Sequence, residues 1–143
     1  MLSKAISLAS QSFEGRKDKG GRPYILHCLR VMNDVDQNDE ELMIIAVLHD
    51  LVEDLPEKFT FFDLQSKYGF SDRIIRALQL LTHNKSVPYM DYIKAIALNK
   101  DAREVKLADL KDNSNITRLK GLTKKDLDRM EKYHMSFTYL SKV

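Results

Sequence analysis

Residues 39–54 read DEELMIIAVLHDLVED and contain the longest apolar run of the chain. From Leu42 to Leu48 every side chain is apolar, so a helix formed here has no polar face along this stretch. A helix that is apolar on all sides is buried at the centre of a protein. We therefore predict a central helix over residues 39–54. It ends at Leu55, because a residue that precedes a proline (here Pro56) avoids the α conformation.

The rest of the chain also has helical periodicity, and no segment of strand length alternates apolar with polar residues. Ser and Thr residues at 60, 71 and 123 stand where they can cap the helices that follow them. The further predicted helices cover residues 2–13, 23–35, 60–69, 71–81, 89–98, 103–119 and 124–140. The sequence thus predicts an all-α fold, a single domain over residues 1–143 built as a bundle of seven or eight helices.

Composition narrows the possible functions. Of the 143 residues 43% are hydrophobic and 31% are charged, which is typical of a globular protein and not of a disordered one. A net charge of +2 argues against a nucleic acid as the main partner, and no apolar run is long enough to cross a bilayer. The single cysteine, Cys28, excludes an intrachain disulfide, and the first residues lack a signal-peptide pattern. We therefore expect a cytoplasmic protein without a membrane partner.

Polar residues crowd the end of the predicted central helix. His49, Asp50, Glu53 and Asp54 lie within six positions, and residues four apart share one helix face. The carboxylates also meet the partial negative charge of the helix C-terminus, which a bound divalent cation would compensate. The alternative is an ordinary helix end that emerges into solvent, where acidic residues are common.

Two residues elsewhere extend this cluster. His27 lies early in the predicted helix that begins at Pro23, and Asp109 lies within an otherwise amphipathic helix. Together with His49 and Asp50 they would supply two imidazoles and two carboxylates, which suits an octahedral Mn²⁺ or Fe²⁺ better than a structural zinc ion. Taken alone, His27 is more simply explained as a hydrogen-bonded histidine near the core.

In this order, His27, the pair His49-Asp50 and Asp109 match the H…HD…D pattern of the HD-domain metal-dependent phosphohydrolases. The sequence resembles most closely the hydrolase domain of the RelA/SpoT alarmone enzymes, in particular the stand-alone small alarmone hydrolases. Four segments carry this resemblance: Arg16-Lys17, Pro23-Tyr24-x-x-His27, His49-Asp50-x-x-Glu53-Asp54 and Lys106-Leu107-Ala108-Asp109-x-x-x-Asn113. It extends over about residues 5–133, with Cys28 in place of the usual proline and an unusual Leu110-Lys111-Asp112 segment.

The resemblance implies a role for each matching residue. One Mn²⁺ would be held by His27, His49, Asp50 and Asp109, while Glu53 and Asp54 would act on the attacking water. Six residues would contact the nucleotide, with Arg16 packed on its base and Asn113 on its sugar region, together with Lys17, Lys85, Arg129 and Tyr133. Without the resemblance, each of these six would be read as an ordinary surface or helix-edge residue.

The activity implied is hydrolysis of the 3′-diphosphate of guanosine 3′,5′-bis(diphosphate), giving GDP or GTP and pyrophosphate. A second hypothesis is a phosphohydrolase that acts on another nucleotide, for example on the 2′-phosphate of NADPH. A third is a non-catalytic domain that binds a nucleotide or a protein, although such domains usually lack a metal ligand or the Glu-Asp pair. Fold alone does not separate the three.

Overall fold

The chain folds into helices along its whole length. The computed structural model describes all 143 residues and contains no β-strand, only an isolated bridge between Lys17 and Pro23. A 3-10 helix over Ile116–Arg118 accompanies nine α-helices. These are α1 (Leu2–Ser12), α2 (Ile25–Asn33), α3 (Glu40–Leu48), α4 (Leu51–Asp54), α5 (Phe61–Ser66), α6 (Asp72–Leu81), α7 (Tyr89–Ala97), α8 (Lys100–Asn113) and α9 (Lys124–Ser141). The all-α prediction is confirmed.

The apolar helix α3 lies at the centre of the molecule. It packs against α1, α2, α6 and α8, which explains why a helix without a polar face is stable here. Ile45 and Ala46 have no exposed surface, and Leu48 is almost as deeply buried. The helices surrounding α3 contribute to the same hydrophobic cluster of 30 buried residues. Both ends of α3 are thereby fixed, including the end that carries the polar residues.

The predicted helix over residues 39–54 is wrong in one respect, because it is interrupted at His49 and Asp50. In an uninterrupted helix the carbonyl of Ala46 would accept a hydrogen bond from the Asp50 amide. Here the ring nitrogen Nδ1 of His49 donates to that carbonyl at 2.7 Å. A side chain that enters the backbone ladder interrupts a helix. If α3 and α4 are counted as the one predicted helix, the number of α-helices is eight.

The predicted helix over residues 103–119 also needs correction. Helix α8 begins earlier, at Lys100, because the side chain of Asn99 accepts a hydrogen bond from the Ala102 amide and caps the helix. It ends at Asn113, and the segment beyond it forms the separate 3-10 helix. Because α8 ends at Asn113, Asp109 lies in its penultimate turn, close to the start of a loop.

The caps predicted from Ser and Thr residues are present. Thr60 and Ser71 each accept a hydrogen bond from the amide three residues later. At Thr123 the interaction is reciprocal, since the Asp126 side chain also accepts from the Thr123 amide and completes a capping box. This cap fixes the start of α9, which packs against α7 and α8.

The loop between α1 and α2 folds back on itself. Oδ1 of Asp18 accepts hydrogen bonds from the amides of Gly20 and Arg22, both at 2.9 Å. Gly20 lies against the backbone of Arg118, and a Cβ atom at this position would stand 2.7 Å from the Arg118 carbonyl oxygen. The close approach requires glycine and fixes the loop beside the 3-10 helix.

No helix of the chain combines the length and the apolar character needed to span a bilayer.

The central position of α3 predicts unequal costs for truncating its side chains. Ile45→Ala should lower the free energy of unfolding by about 2–5 kcal/mol, because it leaves a cavity among closely packed side chains. Met43→Ala, on the half-buried side of the same helix, should cost clearly less. Urea denaturation followed by circular dichroism measures both, and equal losses would contradict the packing described here.

Candidate active site and metal centre

Two histidines and two aspartates from separate elements converge at the end of α3. His27 comes from the first turn of α2, His49 and Asp50 from the break between α3 and α4, and Asp109 from α8. Each offers one ligand atom, and the four atoms lie within 4.8 Å of one another. The structure therefore brings together the four residues that the resemblance assigned to a metal ion.

The distances within this cluster are short. Nε2 of His27 lies 3.1 Å from Oδ1 of Asp109, and Nε2 of His49 lies 3.2 Å from the same oxygen. His49 Nε2 is also 3.0 Å from Oδ2 of Asp50. His27, His49 and Asp109 are each only 3% exposed, whereas Asp50 is half-buried. The cluster is thus largely shielded from solvent, with one more accessible carboxylate.

The second ring nitrogen of each histidine has its own acceptor. Nδ1 of His49 donates to the Ala46 carbonyl, and Nδ1 of His27 donates to Oδ2 of Asp112, both at 2.7 Å. A carbonyl or a carboxylate can only accept, so Nδ1 carries the proton in both rings. Nε2 is then the nitrogen that each ring presents to the cluster. Metal-binding histidines are oriented by such hydrogen bonds in the same way.

Charge inside the cluster is balanced by neighbouring groups. Burial lowers the pKa of both imidazoles, but the carboxylates of Asp50 and Asp109 beside His49, and of Asp109 and Asp112 beside His27, outweigh it and raise the pKa of each. Burial conversely raises the pKa of Asp109, and the adjacent Lys106 and His49 bring it well below its usual range. A proton and a divalent cation would compete for the same two Nε2 atoms.

Asp54 and Glu53 follow one another in α4 but have different surroundings. Asp54 is half-buried, and burial together with the nearby charge of Asp50 raises its pKa to about 6. The guanidinium of Arg16 stands 3.5 Å from it. Glu53 is exposed, and its Oε1 accepts a hydrogen bond from the His83 amide at 2.6 Å. The pKa of Asp54 is suited to proton transfer near neutral pH.

A cavity of about 540 Å³ opens beside the cluster, within the size range of small-ligand sites. His27, Asp50 and Asp109 lie in its wall. Seven further residues selected from the sequence also line it: Arg16, Lys17, Glu53, Asp54, Asn113, Arg129 and Tyr133. Lys85 does not; it is exposed in the loop before α7.

Some of these residues have contacts that the sequence did not indicate. The guanidinium of Arg16, expected to pack on a base, lies 5.0 Å from the centre of the Tyr24 ring. Asn113, expected to contact the sugar of a nucleotide, donates to Oδ1 of Asp109 at 3.0 Å. Nη2 of Arg129 binds Oδ1 of Asp126 at 2.6 Å.

Three residues of the site received no role from the sequence, although Tyr24 and Lys106 stand in the matched segments. Asp112 holds His27, and Lys106 donates to Oδ2 of Asp109 at 2.8 Å. The hydroxyl of Tyr24 donates to Asp50. Lys106 and Asp112 stand three positions before and after Asp109, hence on its face of α8, and this spacing could have identified them.

The chain is similar to known proteins in sequence and in fold. No protein-family model matches the chain. Over 122 residues it is 30% identical to the guanosine-3′,5′-bis(diphosphate) 3′-pyrophosphohydrolase of Aquifex aeolicus (strain VF5). The match covers 78% of this chain and only 17% of that longer protein.

A solved structure shares the fold. It is that of a metazoan ortholog of SpoT described as hydrolysing ppGpp and acting in starvation responses. The TM-score is 0.75 at 21% identity, over 97% of this chain and 84% of the other. The resemblance to RelA/SpoT hydrolase domains inferred from the motifs is confirmed, and the chain has the HD-domain fold.

Proposed function

We propose that the chain hydrolyses guanosine 3′,5′-bis(diphosphate) at its 3′-diphosphate, with one Mn²⁺ as cofactor. The observation that carries the proposal is the convergence of two imidazole nitrogens and two carboxylate oxygens beside a cavity of about 540 Å³, with three of the four residues in the cavity wall. The relative from Aquifex aeolicus is named for this reaction, and the metazoan ortholog of SpoT is described as hydrolysing ppGpp; both support the choice of substrate.

The donor set fits a divalent cation. His27 and His49 each present Nε2, and Asp50 and Asp109 each present a carboxylate oxygen, all within 4.8 Å. A set of imidazoles and carboxylates without thiolates suits Mn²⁺. When bound, such an ion polarises a phosphoryl oxygen and lowers the pKa of coordinated water. Asp112 and the Ala46 carbonyl keep both imidazoles oriented for that role.

The carboxylates of α4 are placed to manage the proton of the attacking water. Asp54, with a pKa of about 6, is ionised at neutral pH and accepts that proton. Glu53 is held by the His83 amide and helps to orient the water. The water oxygen attacks the phosphorus nearest the ribose, the bond from this phosphorus to the 3′ oxygen breaks, and the 3′ oxygen takes up a proton. Pyrophosphate and GDP leave.

Cationic side chains of the cavity neutralise the substrate. Phosphoryl transfer depends chiefly on positioning and on compensation of negative charge. Arg16, Lys17 and Arg129 line the cavity and carry charge of the required sign.

The cytoplasmic location, the single domain over residues 1–143 and the absence of nucleic-acid and membrane partners stay predictions.

The proposal is tested by incubating the purified chain with Mn²⁺ and a panel of nucleotides that includes the bis(diphosphate) and NADPH. We expect GDP and pyrophosphate from the bis(diphosphate), resolved by chromatography, and no reaction with a chelator present. Release of orthophosphate from NADPH alone would favour the second hypothesis. A chain that binds nucleotide without turnover would favour a non-catalytic domain.

The metal centre makes a prediction that does not require a substrate. Asp109→Ala should abolish Mn²⁺ binding, because it removes one ligand and leaves Lys106 without its carboxylate partner. Glu104→Ala, an acidic residue of α8 outside the cavity, is the matched control and should bind one ion per chain. Elemental analysis after dialysis measures the stoichiometry, and a full complement of metal in Asp109→Ala would refute the ligand set.

The carboxylates of α4 should affect turnover without affecting the metal. Glu53→Gln and Asp54→Asn should retain Mn²⁺ but lose at least about 100-fold in kcat, since general-base catalysis contributes this much. Glu57→Gln, an exposed residue just beyond α4, serves as the control. Unchanged kcat in either of the first two variants would exclude that residue from the chemistry.

A further inference from the structure

The hydroxyl of Tyr89 is the only buried side-chain polar atom of the protein without a hydrogen-bond partner. Buried hydroxyl groups are almost always paired, because an unpaired one loses its bonds to water without replacement. Tyr89 is the first residue of helix α7 and lines the cavity beside the cluster of two histidines and two aspartates. An unpaired donor on a residue that lines a cavity indicates an acceptor that a ligand would supply.

The surroundings of Tyr89 explain why the protein provides no acceptor. Its ring packs edge-on against His83 and at a tilt against Tyr92, with centroids 5.7 Å away in both cases. Above the ring lies the ammonium group of Lys132, 4.5 Å from the centroid. The Tyr92 hydroxyl and the His83 ring nitrogen Nε2 already donate to backbone carbonyls. The side chains that surround Tyr89 are therefore aromatic rings and an ammonium group.

The second observation is that Lys132 has no ion-pair partner. Most cations in the cavity wall are paired with a carboxylate, as Arg16 is with Asp54 and Lys106 with Asp109. Lys132 and Lys19 have no carboxylate within 4.0 Å and are among the few that form no ion pair. Burial, followed by the positive charges of Lys106 and Arg129, lowers the pKa of Lys132. Positive charge thus accumulates on this side of the cavity.

We propose that Lys132 and Tyr89 form an anion subsite that binds phosphate oxygens of a phosphorylated ligand. Phosphate oxygens are acceptors only, so they fit a cluster that offers an ammonium group and a hydroxyl donor. Lys132 lies on α9 one residue before Tyr133, and Tyr89 lies on α7, which packs against α9. The subsite adds two binding residues to the cavity and rests, for the identity of the full ligand, on the proposed function.

Binding of inorganic pyrophosphate to the chelator-treated protein tests the subsite without catalysis. Isothermal titration calorimetry should show binding to the unmodified chain. The affinity should fall about tenfold in Lys132→Met and about threefold in Tyr89→Phe, because each loses a hydrogen bond to phosphate. Lys124→Met, an exposed lysine of the same helix outside the cavity, is the matched control and should bind normally. No binding by the unmodified chain, or equal affinity of Lys132→Met and Lys124→Met, would overturn the proposal.

A stability measurement separates ligand binding from a structural role for Tyr89. Without ligand, Tyr89→Phe should melt no lower than the unmodified chain, because the lost hydroxyl makes no hydrogen bond. With pyrophosphate, it should show a smaller rise in melting temperature than the unmodified chain. A lower melting temperature without ligand together with an undiminished rise would contradict the assignment.

Titration of GDP identifies the group that occupies the subsite. Weaker GDP binding in Lys132→Met assigns it to the 5′-diphosphate. Normal GDP binding with a raised KM for the bis(diphosphate) assigns it to the 3′-diphosphate. If the chain fails to hydrolyse the bis(diphosphate) while Lys132→Met still impairs pyrophosphate binding, the proposed function is wrong and the subsite stands.

Discussion

Burial of the Asp109 carboxylate is the constraint on which the site depends. A charged carboxylate inside a helical bundle is stable only with positive or donating partners around it. Lys106 donates to one oxygen, while Asn113 and the two imidazoles surround the other. Removal of a single partner leaves the buried carboxylate with less compensating charge or one hydrogen-bond donor fewer. The elements that supply them, α2, α8 and the break after α3, are therefore held in one arrangement.

The interruption of the central helix connects this constraint to the fold. The apolar stretch of α3 fixes where the helix ends. The Ala46 carbonyl then accepts a hydrogen bond from the His49 ring and not from the Asp50 amide. With the ring so fixed, Nε2 faces Asp50 and Asp109. The most deeply buried helix of the protein thus sets the position of a histidine that is itself only 3% exposed.

The sequence predicted most of the helices, because they leave a regular pattern, and the H…HD…D motif pointed to the four residues that converge in the structure. Apolar spacing and the caps at Thr60, Ser71 and Thr123 depend on neighbours along the chain. The helix break at His49 did not show in the pattern, since it depends on competition between a side chain and the backbone for one carbonyl. The sequence also did not reveal the raised pKa of Asp54. Glu53 and Asp54 are adjacent acids, and the pKa of Asp54 is raised by its burial and by the charge of Asp50, which depend on the folded structure.

Contacts between distant segments were the least predictable part of the site. One of them is Arg118, whose carbonyl leaves no room for a side chain at Gly20 and whose guanidinium binds Asp112. Asp112 in turn holds the ring of His27. A single arginine thus joins the loop of Arg16 and Lys17 to His27, which lies 91 positions before Arg118 in the chain and belongs to the cluster of two histidines and two aspartates. Neither part can be remodelled without the other, so any attempt to graft a new specificity onto the loop must preserve this connection.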